Sequence, residues 1–473
     1  MLSLVPILLV LAVLLADGGF VLGLGLATEH TDAGLIAAIA VGPVVVVVTG
    51  ASLVLSVLHR RLGGGGSLRA IVRTADRCLA LARWLLLLNY LFTVLGMGAL
   101  ATVRHLTGDL LLISELLLML PPLVGLGCLW WVWYPIERRL HETALLHRLD
   151  QGLPVHLPPG RWPYVLTQFR LNILLMLVPM LLILGLSQAL TGFVATGDRQ
   201  INPWVELGTG LVAISVLAAS PWIARWLLGL RRLPDGAIRR ELEAICVRHG
   251  VRVRDIMLWR TGGTMINAAV MGLIPWLRYV VLTDGLIEQL PRRQVQAVMA
   301  HEVGHVRHRH MIWLLVCLMA TLVLGQWALE LLVSFTPVSM VDPTGPGAIL
   351  QLAMVFAVIF VAFGWMSRRF ERQADTFAVQ HLSAESDEPD RIDEDSAKAM
   401  AGALDSIASL QAIDPQRRSW RHGSIAWRCK YLRALVERPE DIRIIHRTML
   451  LIRVVCAGIV AIGILQLVLE ATS

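Results

Sequence analysis

The segment RRQVQAVMAHEVGHVRHRH, residues 292–310, contains His301, Glu302 and His305 in an HExxH arrangement. Its flanks have the apolar spacing of a helix, and residues i and i+4 of a helix share one face, so both imidazoles can reach a single zinc ion. Glu302 is then placed to act as general base toward a water beside the metal. A catalytic zinc site takes three protein ligands and leaves one position open. The extended HExxHxxGxxH form fails here, because His308 stands where glycine is needed and Met311 where the third histidine is needed. His308, three residues from His305, could approach the same face, whereas His310, five away, points elsewhere; both read as polar residues at a membrane interface.

The third ligand therefore comes from another part of the chain. In SRRFERQADTFAVQHL, residues 367–382, Glu371 and Asp375 lie at i and i+4 on a second predicted helix, the ExxxD pattern of a glutamate-ligand zincin. Glu371 is the candidate third ligand. Asp375 is the candidate acceptor for the free ring N–H of a ligating histidine, His301.

The elements that must position these groups are set by a composition that is 56% hydrophobic and 16% charged, with a mean hydropathy of +0.65. Such a chain is neither an ordinary soluble enzyme nor disordered. Nine segments are long and apolar enough to cross a bilayer, near 2–26, 35–58, 79–103, 109–134, 171–195, 203–229, 311–333, 346–366 and 449–468. The first is too long and lacks the basic start of a signal peptide, so it reads as a span. The arginines cluster in 59–78 and 135–170, while 27–34 and 334–345 carry no Lys or Arg. The positive-inside rule then puts the clustered loops in the cytoplasm. The net charge of +7 reads the same way, as loops facing an anionic leaflet and not as a nucleic-acid footprint. Only two lysines occur among 42 basic residues, a skew that suggests a GC-rich bacterial source. Six cysteines without a CxxC motif indicate neither disulfides nor a thiolate metal site. Asp17, Glu115, Glu206, Arg225 and Glu330 lie in or near spans, where interhelical pairing or snorkelling accounts for them more simply than an ion path.

This pattern gives a mainly α-helical polytopic membrane protein of about nine transmembrane helices, with a small α+β zincin-like metallopeptidase domain on the cytoplasmic face. Residues 1–229 form a six-span region, 230–310 and 367–448 two halves of the peptidase domain, 311–366 a two-span hairpin between them, and 449–473 a last span. Within the first half the pattern predicts a helix over 234–249, strands over 255–259, 265–270 and 279–282, and a helix from Pro291. His305 stands about 9 Å of helix before the seventh span, and Glu371 about 7.5 Å after the eighth. Two crossings return the chain to the side it left, so the hairpin brings both to one membrane face. The acidic stretch 383–395 reads as a solvated loop.

Three ordered motifs, MINAAVMG (265–272), HEVGH (301–305) and FERQAD (370–375), resemble those of the integral-membrane zinc metallopeptidase family that includes the HtpX heat-shock proteases and the type I CAAX prenyl endopeptidases. The resemblance covers residues 230–448. It implies that Asn267 and Ala268 belong to an edge strand that binds extended substrate by strand addition. A fourth match, RHGSIAWR (421–428), departs from the family's His-Pro by placing Gly423 after His422. The resemblance makes His422 a candidate for stabilising the oxyanion and Arg428 for orienting the site or the substrate. The expected function is a zinc endopeptidase, one zinc per chain, acting on membrane proteins or peptides at the cytoplasmic face of a bacterial inner membrane, in quality control or processing. CAAX-type processing and a non-proteolytic zinc-binding scaffold or transporter are the alternatives, and the oligomeric state is left open.

Overall fold

The computed structural model describes all residues except 1–3, 19–31, 63–67, 109, 151, 153, 195–202, 335–345, 384–391, 412, 439 and 473. Two compact units result, one built on residues 1–228 and one on residues 229–342 and 347–473.

Among its described residues the first unit has helices and no strand, with long helices at Ala33–Leu62, Leu68–Leu91, Ile113–Asp150, Leu175–Val194 and Pro203–Leu227. Burying hydrogen bonds inside each segment is what a backbone in hydrocarbon requires. Large apolar side chains such as Val46 and Leu53 stay exposed on these helices, as a lipid-facing surface would have them. Of the charges noted in the sequence, Asp17 and Glu115 both pair with Arg104, and Gln188 donates to Glu115 at 2.9 Å. These contacts satisfy a nearly inaccessible carboxylate between helices.

Among the described residues of both units, seven helices are long and apolar enough to span a membrane. They coincide with seven of the nine expected segments. Of the first segment, only the helix Val5–Asp17 and its cap are described, and most of its second half lies outside the described residues. The eighth falls inside one long helix, Pro346–Ser383. Most of the loops 27–34 and 334–345 and of the acidic stretch 383–395 also lies outside the described residues.

The second unit carries the chemistry. In chain order it comprises β1 (Arg231–Arg232), α1 (Ala237–Arg248), β2 (Asp255–Trp259), β3 (Ala268–Met271), β4 (Tyr279–Thr283), α2 (Asp284–Gln289), α3 (Arg292–Arg307), α4 (His310–Ser334), α5 (Pro346–Ser383), α6 (Glu394–Leu410), α7 (Ile425–Glu437) and α8 (Glu440–Thr472). The sheet order is β1-β2-β4-β3, with β2 and β4 parallel and β3 antiparallel on an edge. Ile256, Val280 and Leu282 from the sheet, Val295, Met299 and Val303 from α3, and Met400 and Leu404 from α6 close one core.

The strand expected over 265–270 begins three residues later. Asp284 holds the preceding turn by accepting from the Thr261 backbone N–H, the Thr261 hydroxyl and the Gly262 N–H, so that turn cannot join the ladder. A second cluster, formed by Cys317 of α4, Met366 and Phe370 of α5, and Ile445, Met449 and Ile452 of α8, fastens three apolar helices beneath the site.

Candidate metal centre

α3 delivers His301 and His305, one turn apart, and α5 delivers Glu371. One nitrogen from each histidine and one Glu371 oxygen all lie within 4.8 Å of one another. His301 Nε2 and His305 Nε2 are 3.1 Å apart, and they stand 3.7 and 3.8 Å from the two Glu371 oxygens. Two imidazoles whose Nε2 atoms meet at a common point beside a carboxylate fit a borderline-soft divalent cation such as zinc. The close approach of the helices has a cause in the motif itself. Gly304 is buried, and a Cβ there would stand 3.0 Å from the Phe377 ring of α5.

Glu371 and Asp375 are 5% and 0% exposed, so each needs a partner. Arg428 of α7 supplies both: Nε and Nη2 donate to the two Asp375 oxygens at 2.9 and 2.6 Å, and Nη1 lies 3.3 Å from Glu371. Its guanidinium is thus occupied by the two carboxylates; of the two roles expected for it, it has the contacts for orienting the site. His301 Nδ1 stands 2.9 Å from Asp375 Oδ1, the carboxylate expected to accept its ring N–H. His422 Nδ1 reaches Glu371 at 2.9 Å and remains half exposed. Gly423, where the family pattern has proline, adopts φ +76, a conformation closed to proline. The turn between the Ser419 and Gly423 backbones depends on it.

The protein's own field sorts these groups. Burial would raise Glu371, but the hydrogen bond from His422 and the charge of Arg428 hold it well below the usual carboxylate range. Burial likewise opposes ionisation of Asp375, and Arg428 outweighs it. Burial, aided by the charge of His301, pushes His305 down to about 3, so it is neutral with a lone pair to give. For Glu302 burial outweighs the charges of His301 and Arg428 and the Val270 N–H, and raises it to about 7, the range suited to a proton shuttle. Its Oε2 accepts from the Val270 N–H of β3 at 3.2 Å.

That bond also reveals the free edge of the sheet. Thr283 N–H donates to the Asn267 carbonyl, so by antiparallel alternation Ala269 and Met271 face β4, while Ala268 and Val270 point outward. Asn267 and Ala268 therefore stand where the edge begins, with Asn267 itself tied to β4 through the Thr283 hydroxyl.

His310 departs from its reading as an interfacial residue pointing away from the site. It is fully buried, and its Nδ1 lies 2.8 Å from His305 Nδ1. α3 ends at Arg307, Arg309 takes φ +54, and α4 restarts at His310, so helical spacing across the break gave the wrong direction. His310 Nε2 lies 3.0 Å from Gln373 Oε1, which also accepts from Arg453 at 3.1 Å, and Gln373 Nε2 lies 3.0 Å from His446. Nothing local pointed to Gln373, which two residues after Glu371 lies on another face of α5, or to Arg453, eighty positions on. His308 turns the other way, edge-on to Phe377.

Residues 234–399 match the model of peptidase family M48. A protease HtpX homolog of Leptothrix cholodnii is 26% identical over 254 residues, covering 47% of this chain and 80% of its own length. A protease HtpX homolog of Aeropyrum pernix is 30% identical over 149 residues, covering 29% and 44%. A CAAX prenyl protease 1 homolog of Dictyostelium discoideum is 28% identical over 196 residues, covering 37% and 45%. The chain thus spans less than half the length of the last two. The crystal structure of S. mikatae Ste24p aligns with a TM-score of 0.42 at 17% identity, over 83% of this chain and 98% of that one. The family match takes in both α3 and the Glu371 segment of α5, so this part of the multi-pass membrane chain is similar to peptidase family M48, and the relatives it resembles are named HtpX and CAAX prenyl proteases.

Proposed function

We propose that the protein is a membrane-embedded zinc endopeptidase of the HExxH plus ExxxD type, cutting membrane or membrane-associated proteins at the cytoplasmic face of a bacterial inner membrane. The convergence of His301, His305 and Glu371 beside Glu302 and an open strand edge carries this reading. Zinc, when bound, supplies a Lewis acid that polarises the scissile carbonyl and acidifies water. Glu302 takes the proton of the attacking water and returns it to the leaving amine, so that one carboxyl serves as base and then acid. An extended substrate pairs with the outward backbone groups of Ala268 and Val270, displacing the Val270 N–H from Glu302. Asn267 sets the start of that strand. His422, its Nδ1 on Glu371, offers Nε2 to the oxyanion, and Arg428 with Asp375 holds the ligand set.

A non-proteolytic zinc scaffold would have no use for a Glu302 raised to about 7. CAAX-type processing draws support from the Dictyostelium relative, so a prenylated peptide belongs among the trial substrates. The deciding experiment compares zinc content and cleavage of an unfolded membrane-protein reporter for wild type and Glu302→Gln in detergent. Both should hold about one zinc, with kcat of the variant down at least about 100-fold. A well-folded wild type without zinc would defeat the site; zinc without cleavage of any reporter would favour the scaffold. The biological role we assign is quality control of misfolded membrane proteins. It requires that a deletion strain under stress turn over membrane proteins more slowly.

A further inference from the structure

Next to the metal centre, a cavity of about 510 Å³ opens between α5, α7 and α8. Each helix presents one face to it: Trp365, Arg369 and Arg372 from α5, Trp427, Lys430 and Tyr431 from α7, and Asp441 with the apolar Ile444 and Ile445 from α8. Three cations therefore share the space with one acid. The Arg372 guanidinium lies 4.1 Å from the Trp427 ring centre and 4.8 Å from that of Tyr431, and its Nε is buried without a hydrogen-bond partner. Arg369 sits 5.1 Å from the Trp365 ring centre.

The position narrows the anion. Trp365 closes the apolar stretch expected from the sequence to end at residue 366, and Ile444 and Ile445 lie near the start of the candidate span Glu440–Gln466. The cavity thus has a cationic upper part and an apolar lower one at the membrane surface, where basic pockets between spans take lipid head groups. Guanidinium forks joined by an ammonium suit phosphate oxygens. We propose that this cavity binds a phosphate group presented by an anionic phospholipid. Resting on the peptidase reading, a consequence follows: Arg372 adjoins Glu371, and Trp427 adjoins Arg428, so a phosphate joining α5 to α7 braces the helices that hold Glu371, and anionic lipid raises activity.

Native mass spectrometry of the full chain, purified in detergent and offered phosphatidylglycerol or phosphatidylcholine, tests the site, with Arg369→Gln/Lys430→Gln as the variant and inorganic phosphate as a separate arm. The expected result is retention of phosphatidylglycerol by wild type, at least tenfold weaker retention by the variant, and zinc content unchanged in both. Equal retention of the two lipids, or a variant that keeps phosphatidylglycerol, overturns the proposal. So does binding of inorganic phosphate as tight as that of the lipid, which would make the ligand a soluble anion. Glu302→Gln should bind lipid like wild type, so failure of the peptidase reading leaves this result readable. In nanodiscs, cleavage by wild type should rise severalfold with phosphatidylglycerol content, and that of the variant should not.

Discussion

Arg453 can only donate hydrogen bonds, and that constraint propagates through three other side chains to a zinc-site nitrogen. Because Gln373 Oε1 accepts from Arg453, it also accepts from His310, whose Nε2 must carry the proton. His310 Nδ1 is then the acceptor, His305 Nδ1 is protonated, and His305 Nε2 is left with its lone pair toward His301 and Glu371. A tautomer needed for metal binding is thus set from α8. Gln373→Leu should break the chain and weaken zinc retention about 10–100-fold in a chelator competition. Gln373→Glu keeps an acceptor for both Arg453 and His310 and should recover most of that loss. If the leucine variant holds zinc as tightly as wild type, the relay does not set the tautomer. None of this was legible in sequence, because His310 is aimed by a single positive φ at Arg309, and Arg453 lies in what reads as a plain apolar span. His301, His305 and Glu371 were legible for the opposite reason: His301 and His305 stand one turn apart on the unbroken α3, and Glu371 and Asp375 one turn apart on the unbroken α5.

The approach of α3 to α5 rests on the absence of one methyl group. Gly304 lies on the buried side of the HEVGH helix against Phe377, and an added Cβ would begin at 3.0 Å from that ring. Gly304→Ala should cost about 1–3 kcal/mol of stability through overpacking, with Gly304→Val costing more. The displacement of α5 would also move Glu371 from the histidines, so zinc affinity should fall in the same order. Equal zinc affinity in all three proteins would show that the ligand spacing does not depend on this contact. At this scale the sequence carried element type well and boundaries less well. β2 and β4 alternate or run apolar between clear turns, and the structure places them within a residue of expectation. β3 was misjudged by three residues because its start depends on the clasp that Asp284 makes with Thr261 from sixteen residues beyond the start of β3, an interaction with no local signature. Gly423 shows the same limit: the turn it closes uses a backbone conformation that the family's proline could not enter.

His305 stands five residues before the start of the span at His310–Leu331, and Glu371 five residues beyond residue 366. At about 1.5 Å per residue both ligands lie roughly 8 Å of helix from the hydrocarbon. The outward edge of β3, which faces Glu302, is held at the same depth through the Val270 contact. A soluble, freely diffusing peptide must find this edge from bulk solution, whereas a segment tethered to a span already resides in the layer that contains it, at an effective concentration set by its tether. The same cleavable sequence should therefore be cut faster when placed about ten residues from a transmembrane anchor than when placed about sixty residues away or supplied free. The gain should be a tenfold or larger rise in kcat/KM in nanodiscs, and it should shrink in detergent for the untethered comparison. The tether raises encounter and not chemistry, so kcat should be the same for all three substrates. Equal kcat/KM for tethered and free sequences would mean that the depth of the site does not select its substrates, and the preference for membrane proteins would have to come from the six-span region or from the side chains along β3.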